Sequence, residues 1–367
     1  MKIAFIITSL GVGGAEIQVT NLADEYSSRG HEVLLISLTG NSIVKPIHPQ
    51  VKVIDLMMKK TPYSFILNYI KTRRIIKEFQ PTVVHSHMIH ANIFSRFVRL
   101  SQRMQLLICT AHSNYEGSKI RNIFYRLTDR LCDLTTNVSQ NAVESSIKKK
   151  AVPKNKIKVM YNGINTKKYC YNPKTRDNLR KLLKINKETP LLLSVGRLTP
   201  AKDYPNLLHA FSLLSLPFNI SKLIIIGDGT ERKKLQELAE KLDIHNRVIF
   251  LGTQNDINEW MSAADIFVLS SAWEGFGLVI AEAMSCERIV VATDAGGVKE
   301  VLSNNGFLVP IKDSNALSKA IEQALTLTEE SKKSISTSAK NYISENFCIS
   351  KIADKWLTLY SNLNLKK

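Results

Sequence analysis

Ser271-Ala272-Trp273-Glu274-Gly275-Phe276-Gly277-Leu278-Val279-Ile280-Ala281-Glu282-Ala283-Met284 is the stretch on which the fold turns. An apolar, β-branched run (266–270) ends just before it, Gly275 and Gly277 open a loop, and the residues from Leu278 onward read as a helix. Strand, glycine loop and helix in that order make a βα unit. Its helix start draws an anion through free N–H groups and the aligned peptide dipoles. Glu274 lies on the loop and Glu282 about one turn into the helix. Two carboxylates beside an anion site make electrostatic sense if they hold sugar hydroxyls rather than phosphate. The plainer alternative is a helix-start glutamate favoured by the dipole, plus a surface glutamate.

The same alternation runs outward in both directions. Towards the N-terminus, strand patterns fall at 3–8, 32–38, 82–86, 106–109, 135–138 and 156–159, with helical patterns at 15–29, 65–79 and 92–100. In the second half, strand patterns fall at 191–195, 222–226, 248–251, 266–270 and 288–292, with helices at 231–242, 278–285 and 350–363. The expected fold class is therefore α/β, with two Rossmann-like domains facing each other across a cleft. A length of 367 residues suits two domains. The expected boundaries are 1–165, 166–348 and a C-terminal helix, 349–367, that packs back on the first domain. The polar, basic segment 165–190 reads as a linker plus a short helix.

Two further turns carry candidate chemistry. Gly11-Val12-Gly13-Gly14-Ala15-Glu16 follows the first strand. A dinucleotide fingerprint wants a third glycine where Glu16 stands, and an acidic residue ending the second strand, where the chain has Leu38-Thr39-Gly40-Asn41. A nicotinamide enzyme is disfavoured; a plain tight turn remains open. Gly196-Arg197-Leu198-Thr199-Pro200-Ala201-Lys202-Asp203 follows the strand at 191–195. Arg197 and Lys202 stand where open α/β sheets bind ligands, and two cations there would neutralise a diphosphate. Two solvated cations on a loop are the alternative.

The net charge is +18, and residues 1–165 hold 23 Lys and Arg against 10 Asp and Glu. Such an excess suits nucleic acid, a lipid surface or a diphosphate-linked substrate. No nucleic-acid module or basic stripe interleaved with aromatics appears, so nucleic acid is not expected. The five cysteines, Cys109, Cys132, Cys170, Cys286 and Cys348, form no CxxC pair and read as reduced thiols. The opening MKIAFIITSL reads as a buried strand rather than a signal peptide, and no apolar run is long enough to span a membrane.

The pattern E-G-F-G-L-V-I-A-E-A-M resembles the carboxylate-spaced signature of glycosyltransferase family 4, retaining enzymes of GT-B fold. The G-G-A-E turn at 13–16, A-H-S at 111–113, N-G-I-N at 162–165, G-R-L-T-P-A-K-D at 196–203 and G-G-V-K-E at 296–300 fall in the family's order. The family often has Asp where Asn165 stands, at the domain junction.

The resemblance implies a donor nucleotide-diphosphate sugar, UDP-linked by family frequency, held in the second domain. Arg197 and Lys202 match the diphosphate pair, Glu282 the ribose ligand, and Glu274 a contact to the transferred sugar. Gly275, Phe276, Gly277 and Leu278 would meet sugar and phosphate, and Leu251 and Gly252 the base. Gly13 and Gly14 would close over the diphosphate. His112 matches the histidine near the sugar's 6-hydroxyl; His85, His87 and His90 are rivals for contact with the acceptor. His112, Glu274, Arg197 and Lys202 are the candidate catalytic set. The resemblance further implies front-face attack with retention, a double displacement through Glu274 being the rival. No cofactor and no metal are expected, because cations already neutralise the diphosphate.

By the same analogy the acceptor is a lipid-linked saccharide of bacterial surface polysaccharide: O-antigen, capsule or lipopolysaccharide core. The basic first half and the segments 89–104 and 119–131, which mix Arg with Phe, Ile and Leu, suggest peripheral contact with the cytoplasmic leaflet of the inner membrane. A soluble acceptor and an inactive sugar-nucleotide-binding relative are the alternatives.

Overall fold

The computed structural model describes residues 1–40, 42–113 and 119–365, with no side chains described for 119–121. Asn41, noted above after the second strand, lies outside the described residues. The chain divides into two compact units. The first is 1–163 with 349–367 and the second is 164–348, so the division falls two residues before the expected boundary at 165.

The first unit is a seven-stranded parallel sheet. Its strands are β1 (Lys2–Ile7), β2 (Glu32–Ser37), β3 (Lys52–Asp55), β4 (Val83–His87), β5 (Leu107–Ala111), β6 (Leu134–Asn137) and β7 (Ile157–Val159), in the order β3-β2-β1-β4-β5-β6-β7. The order reverses between β1 and β4. Both faces are covered, which is why β1 and β2 are almost uninterrupted apolar runs, while β4 and β6 bury polar residues, His85, Ser86 and His87 in one and Thr135, Thr136 and Asn137 in the other. On one face Ile3, Phe5 and Ile7 pack with Tyr26 of the helix Gly14–Ser28 and with Trp356 and Tyr360 of the C-terminal helix Ile349–Asn364. On the other, Ala4 and Ile6 pack with Ile76, Phe94 and Val98. β3 is short and half-buried, and its Lys52 and Asp55 hid it from the apolar pattern.

The second unit is a six-stranded parallel sheet. Its strands are β8 (Leu191–Val195), β9 (Lys222–Ile226), β10 (Val248–Gly252), β11 (Ile266–Leu269), β12 (Ile289–Thr293) and β13 (Phe307–Val309), in the order β10-β9-β8-β11-β12-β13. Here the reversal falls between β8 and β11. The segment read as a linker holds the helix Pro173–Leu182, capped by Asn172 accepting from the Lys174 and Thr175 amides. Its Arg176 and Arg180 both bond Asp265.

The segment 89–104 is not a surface helix. The helix Ile89–Arg99 buries Ala91, Phe94 and Val98, and its Arg96 is fully buried. The guanidinium donates to the Tyr125 carbonyl at 2.8 Å and to Thr128 and Thr135 hydroxyls at 3.1 Å, with Asp129 at 3.4 Å. A buried charge needs such a set of partners. Mixed Arg and Phe looked amphipathic in sequence because spacing does not reveal an arginine satisfied inside. The helix Lys119–Thr128 does expose Ile123, Phe124 and Leu127. Among the described residues no helix is long and apolar enough to cross a membrane.

Candidate active site

The loops after β8 and β11 meet at the switch point of the second sheet. The Ala201 carbonyl accepts from the Ala272 amide at 2.9 Å, and Ser270 Oγ donates to the Lys202 carbonyl at 2.9 Å. This seam sets Lys202 Nζ against Glu274 Oε1, which also accepts from Ser271 Oγ at 2.7 Å. Sequence assigned Lys202 to phosphate and Glu274 to sugar; the structure joins them as an ion pair. Arg197 is exposed on the same loop.

The loop holding Arg197 is shaped by glycine. At Gly227 φ is +134°, and a Cβ would lie 2.0 Å from the Gly196 carbonyl oxygen. Nothing larger fits, because two backbones touch there. The Leu198 amide donates to the Asp228 carbonyl at 2.9 Å and the Gly227 amide to the Gly252 carbonyl at 2.8 Å. Leu251 and Gly252 thus stand at the carboxyl end of β10, beside the same loops.

Gly277 takes φ +85° and caps the helix Leu278–Ser285. Leu278 is its first residue, and the opening N–H groups lack intrahelical acceptors. Gly275 precedes the cap. The Phe276 side chain points inward, its ring centroid 5.5 Å from that of Phe347, which anchors the loop.

Glu282 lies on this helix and is only 3% exposed. Its carboxyl is hydrogen-bonded to the Tyr169 hydroxyl. Burial pushes its pKa up to about 7, against the opposing effects of Tyr169 and Lys168. Tyr169 was not found in sequence: 113 positions separate it from Glu282, and no spacing rule links them.

In the first unit, Gly13 caps the helix Gly14–Ser28 with extended backbone. Glu16 folds back against it, so that a Cβ on Gly13 would meet its carboxylate oxygen at 2.6 Å. The helix start therefore already faces the chain's own carboxylate. His87, ending β4, and His112, just after β5, pair through Nδ1 and Nε2 at 2.9 Å. Burial lowers both, His112 to about 4, so both rings are neutral at pH 7. Among the described residues, His112 Nδ1 and His87 Nε2 have no hydrogen-bond partner. His85 is a core residue: it bonds Tyr360 Oη at 2.7 Å and Thr110 Oγ1 at 2.6 Å. His90 is exposed. The cysteines are all free thiols; Cys109, Cys132 and Cys286 are buried, Cys170 is exposed and Cys348 is half-buried.

Residues 12–168 match the model of Glycosyltransferase Family 4, and residues 175–342 that of Glycosyl transferases group 1. The chain is 24% identical, across 98% of its length and 97% of the relative, to the N-acetyl-alpha-D-glucosaminyl L-malate synthase of Bacillus anthracis. It is 26% identical to the UDP-Gal:alpha-D-GlcNAc-diphosphoundecaprenol alpha-1,3-galactosyltransferase of Escherichia coli, over 81% of this chain and 80% of that one. The crystal structure of Anabaena HepE in complex with UDP aligns with a TM-score of 0.85 at 26% identity, covering 99% of this chain and 100% of that chain. With two parallel-sheet Rossmann-like units and both family domains in order, the chain belongs to the family 4, group 1 glycosyltransferases.

Proposed function

We propose that this glycosyltransferase moves a hexose or N-acetylhexosamine from a UDP-sugar, with retention, to a lipid-linked saccharide of surface polysaccharide at the cytoplasmic face of the inner membrane. The observation that carries the donor half is the Lys202–Glu274 pair at the switch point, flanked by Arg197 and the helix start at Leu278. A diphosphate entering there gains two cations and a helix N-terminus, and Glu274, released from Lys202, is free to accept from sugar hydroxyls. Breaking the anomeric bond puts negative charge on the leaving diphosphate, which Arg197 and Lys202 stabilise. The leaving phosphate oxygen takes the acceptor proton as the acceptor attacks the same face. Glu282 and Tyr169 serve the nucleoside side, and His112 the transferred sugar. No metal is assigned, since these cations fill its electrostatic role.

The UDP-bound neighbour and the diphosphoundecaprenol-using relative support the donor and acceptor classes. The exposed Ile123, Phe124 and Leu127, with Arg126 and Arg130 beside them, support contact with an anionic surface. The test is a panel of UDP-, GDP- and ADP-sugars against a polyprenyl-diphosphate-linked sugar and against a small hydroxy acid, with the product anomer read by NMR. Transfer only to the soluble acid would replace the lipid-linked acceptor with the soluble one. An inverted anomer would remove the front-face mechanism, and a glycosyl ester trapped on Glu274 would replace it with double displacement.

A further inference from the structure

The sequence pattern at 65–79 marks a helix, which the structure extends to Pro62–Phe79, and its outer face is unusual. Thr61 caps it by accepting from the Ser64 amide, and Asn68, Thr72 and Ile76 form its buried side. On the opposite side Tyr63 is 73%, Ile66 57%, Leu67 48% and Ile70 57% exposed. Positions 63, 66, 67 and 70 follow helical spacing, so the four side chains form one apolar strip about 10 Å long.

The next two turns change character. Lys71, Arg73, Arg74 and Lys77 are exposed there, and Lys59 and Lys60 stand just ahead of the helix. Residues 59–79 hold six cations and one carboxylate, Glu78, which Arg74 binds. The apolar and basic parts are thus segregated along the axis.

The helix leaves the carboxyl end of β3 and returns to the start of β4. Its apolar first half therefore lies at the carboxyl edge of the first sheet, the edge that carries Gly13, His87 and His112. We propose that this helix docks the chain on an anionic bilayer, its first two turns entering the acyl boundary and its cations meeting lipid phosphates. The proposal rests on the membrane-linked acceptor above and names the surface that meets the membrane. An apolar protein partner would not need the surplus of cations, and a soluble polyanion would not need the apolar strip.

The test is flotation of the full chain with phosphatidylglycerol vesicles and with phosphatidylcholine vesicles at low salt. The variant Tyr63→Ser/Ile66→Ser/Leu67→Ser/Ile70→Ser alters only exposed side chains. It is expected to bind phosphatidylglycerol at least about tenfold more weakly, while its affinity for UDP and its melting temperature stay unchanged. A second variant, Lys71→Ser/Arg73→Ser/Lys77→Ser, is expected to lose the preference for anionic over neutral vesicles. If the first variant floats like wild type, or if Ile123→Ser/Phe124→Ser/Leu127→Ser alone abolishes flotation, this helix is not the docking element and the membrane reading stands. If wild type itself does not float, both fall.

Discussion

Lys202 and Glu274 stand 72 positions apart and form an ion pair, with only 20% and 13% of their side-chain surfaces exposed. Breaking a shielded pair from one side strands the other charge. Lys202→Met and Glu274→Gln should each lower stability by about 1–3 kcal/mol, and the double variant by less than their sum. Activity should behave differently: each single variant loses about 10²- to 10³-fold in kcat, and the double variant recovers none of it. Thermal melts and rates of sugar transfer measure the two effects. Additive stability losses would mean that the pair is not energetically coupled.

Glu282 yields a pH signature. Its carboxyl is pushed up to about 7 in the fold, from a model-peptide value near 4.5. A raised carboxyl favours the protonated folded state, so this contribution to stability is complete below pH 4.5 and is lost as the pH rises through 7. The difference amounts to about 3 kcal/mol. Glu282→Gln should therefore gain stability over wild type on going from pH 5 to pH 8, and melts at those pH values read the crossover. Tyr169→Phe removes a bond that holds the pKa down, and should shift the midpoint upward. A constant gap between wild type and Glu282→Gln across this range would contradict the assignment.

His87 and His112 should act as a unit, since Nδ1 of one meets Nε2 of the other. In a double-mutant cycle, His87→Asn and His112→Asn should lower kcat/KM by less in combination than the sum of their separate effects. Because burial holds His112 near 4, the wild-type pH-rate profile should show no step near 6.5 that vanishes in His112→Asn. Such a step would place a charged ring at this position.

Arg96 is a fully buried cation, and truncating it should be costly. Arg96→Met leaves Asp129 and three buried oxygen acceptors with fewer donors, and should cost about 3–5 kcal/mol in urea unfolding. The exposed Arg126→Ala should stay within about 0.5 kcal/mol of wild type.

The sequence alone reached the two βα-alternating halves. Strands of a doubly covered parallel sheet are near-continuous apolar runs, and β8 and β9 and the helix Leu278–Ser285 end where their apolar patterns do. It also singled out Arg197, Lys202, Glu274 and Glu282 as candidates, because glycine turns at strand ends are local signals. What it did not reach depends on neighbours distant in the chain. Lys52 and Asp55 masked an edge strand, and Arg96 looked like a surface cation until Asp129 and Thr135 folded around it. The pairing of Lys202 with Glu274 and the burial of Glu282 under Tyr169 were likewise decided by tertiary structure. Periodicity reports which face of an element is apolar. Which charge meets which, and how far water is excluded from them, is set only when the loops after β8 and β11 meet at the switch point.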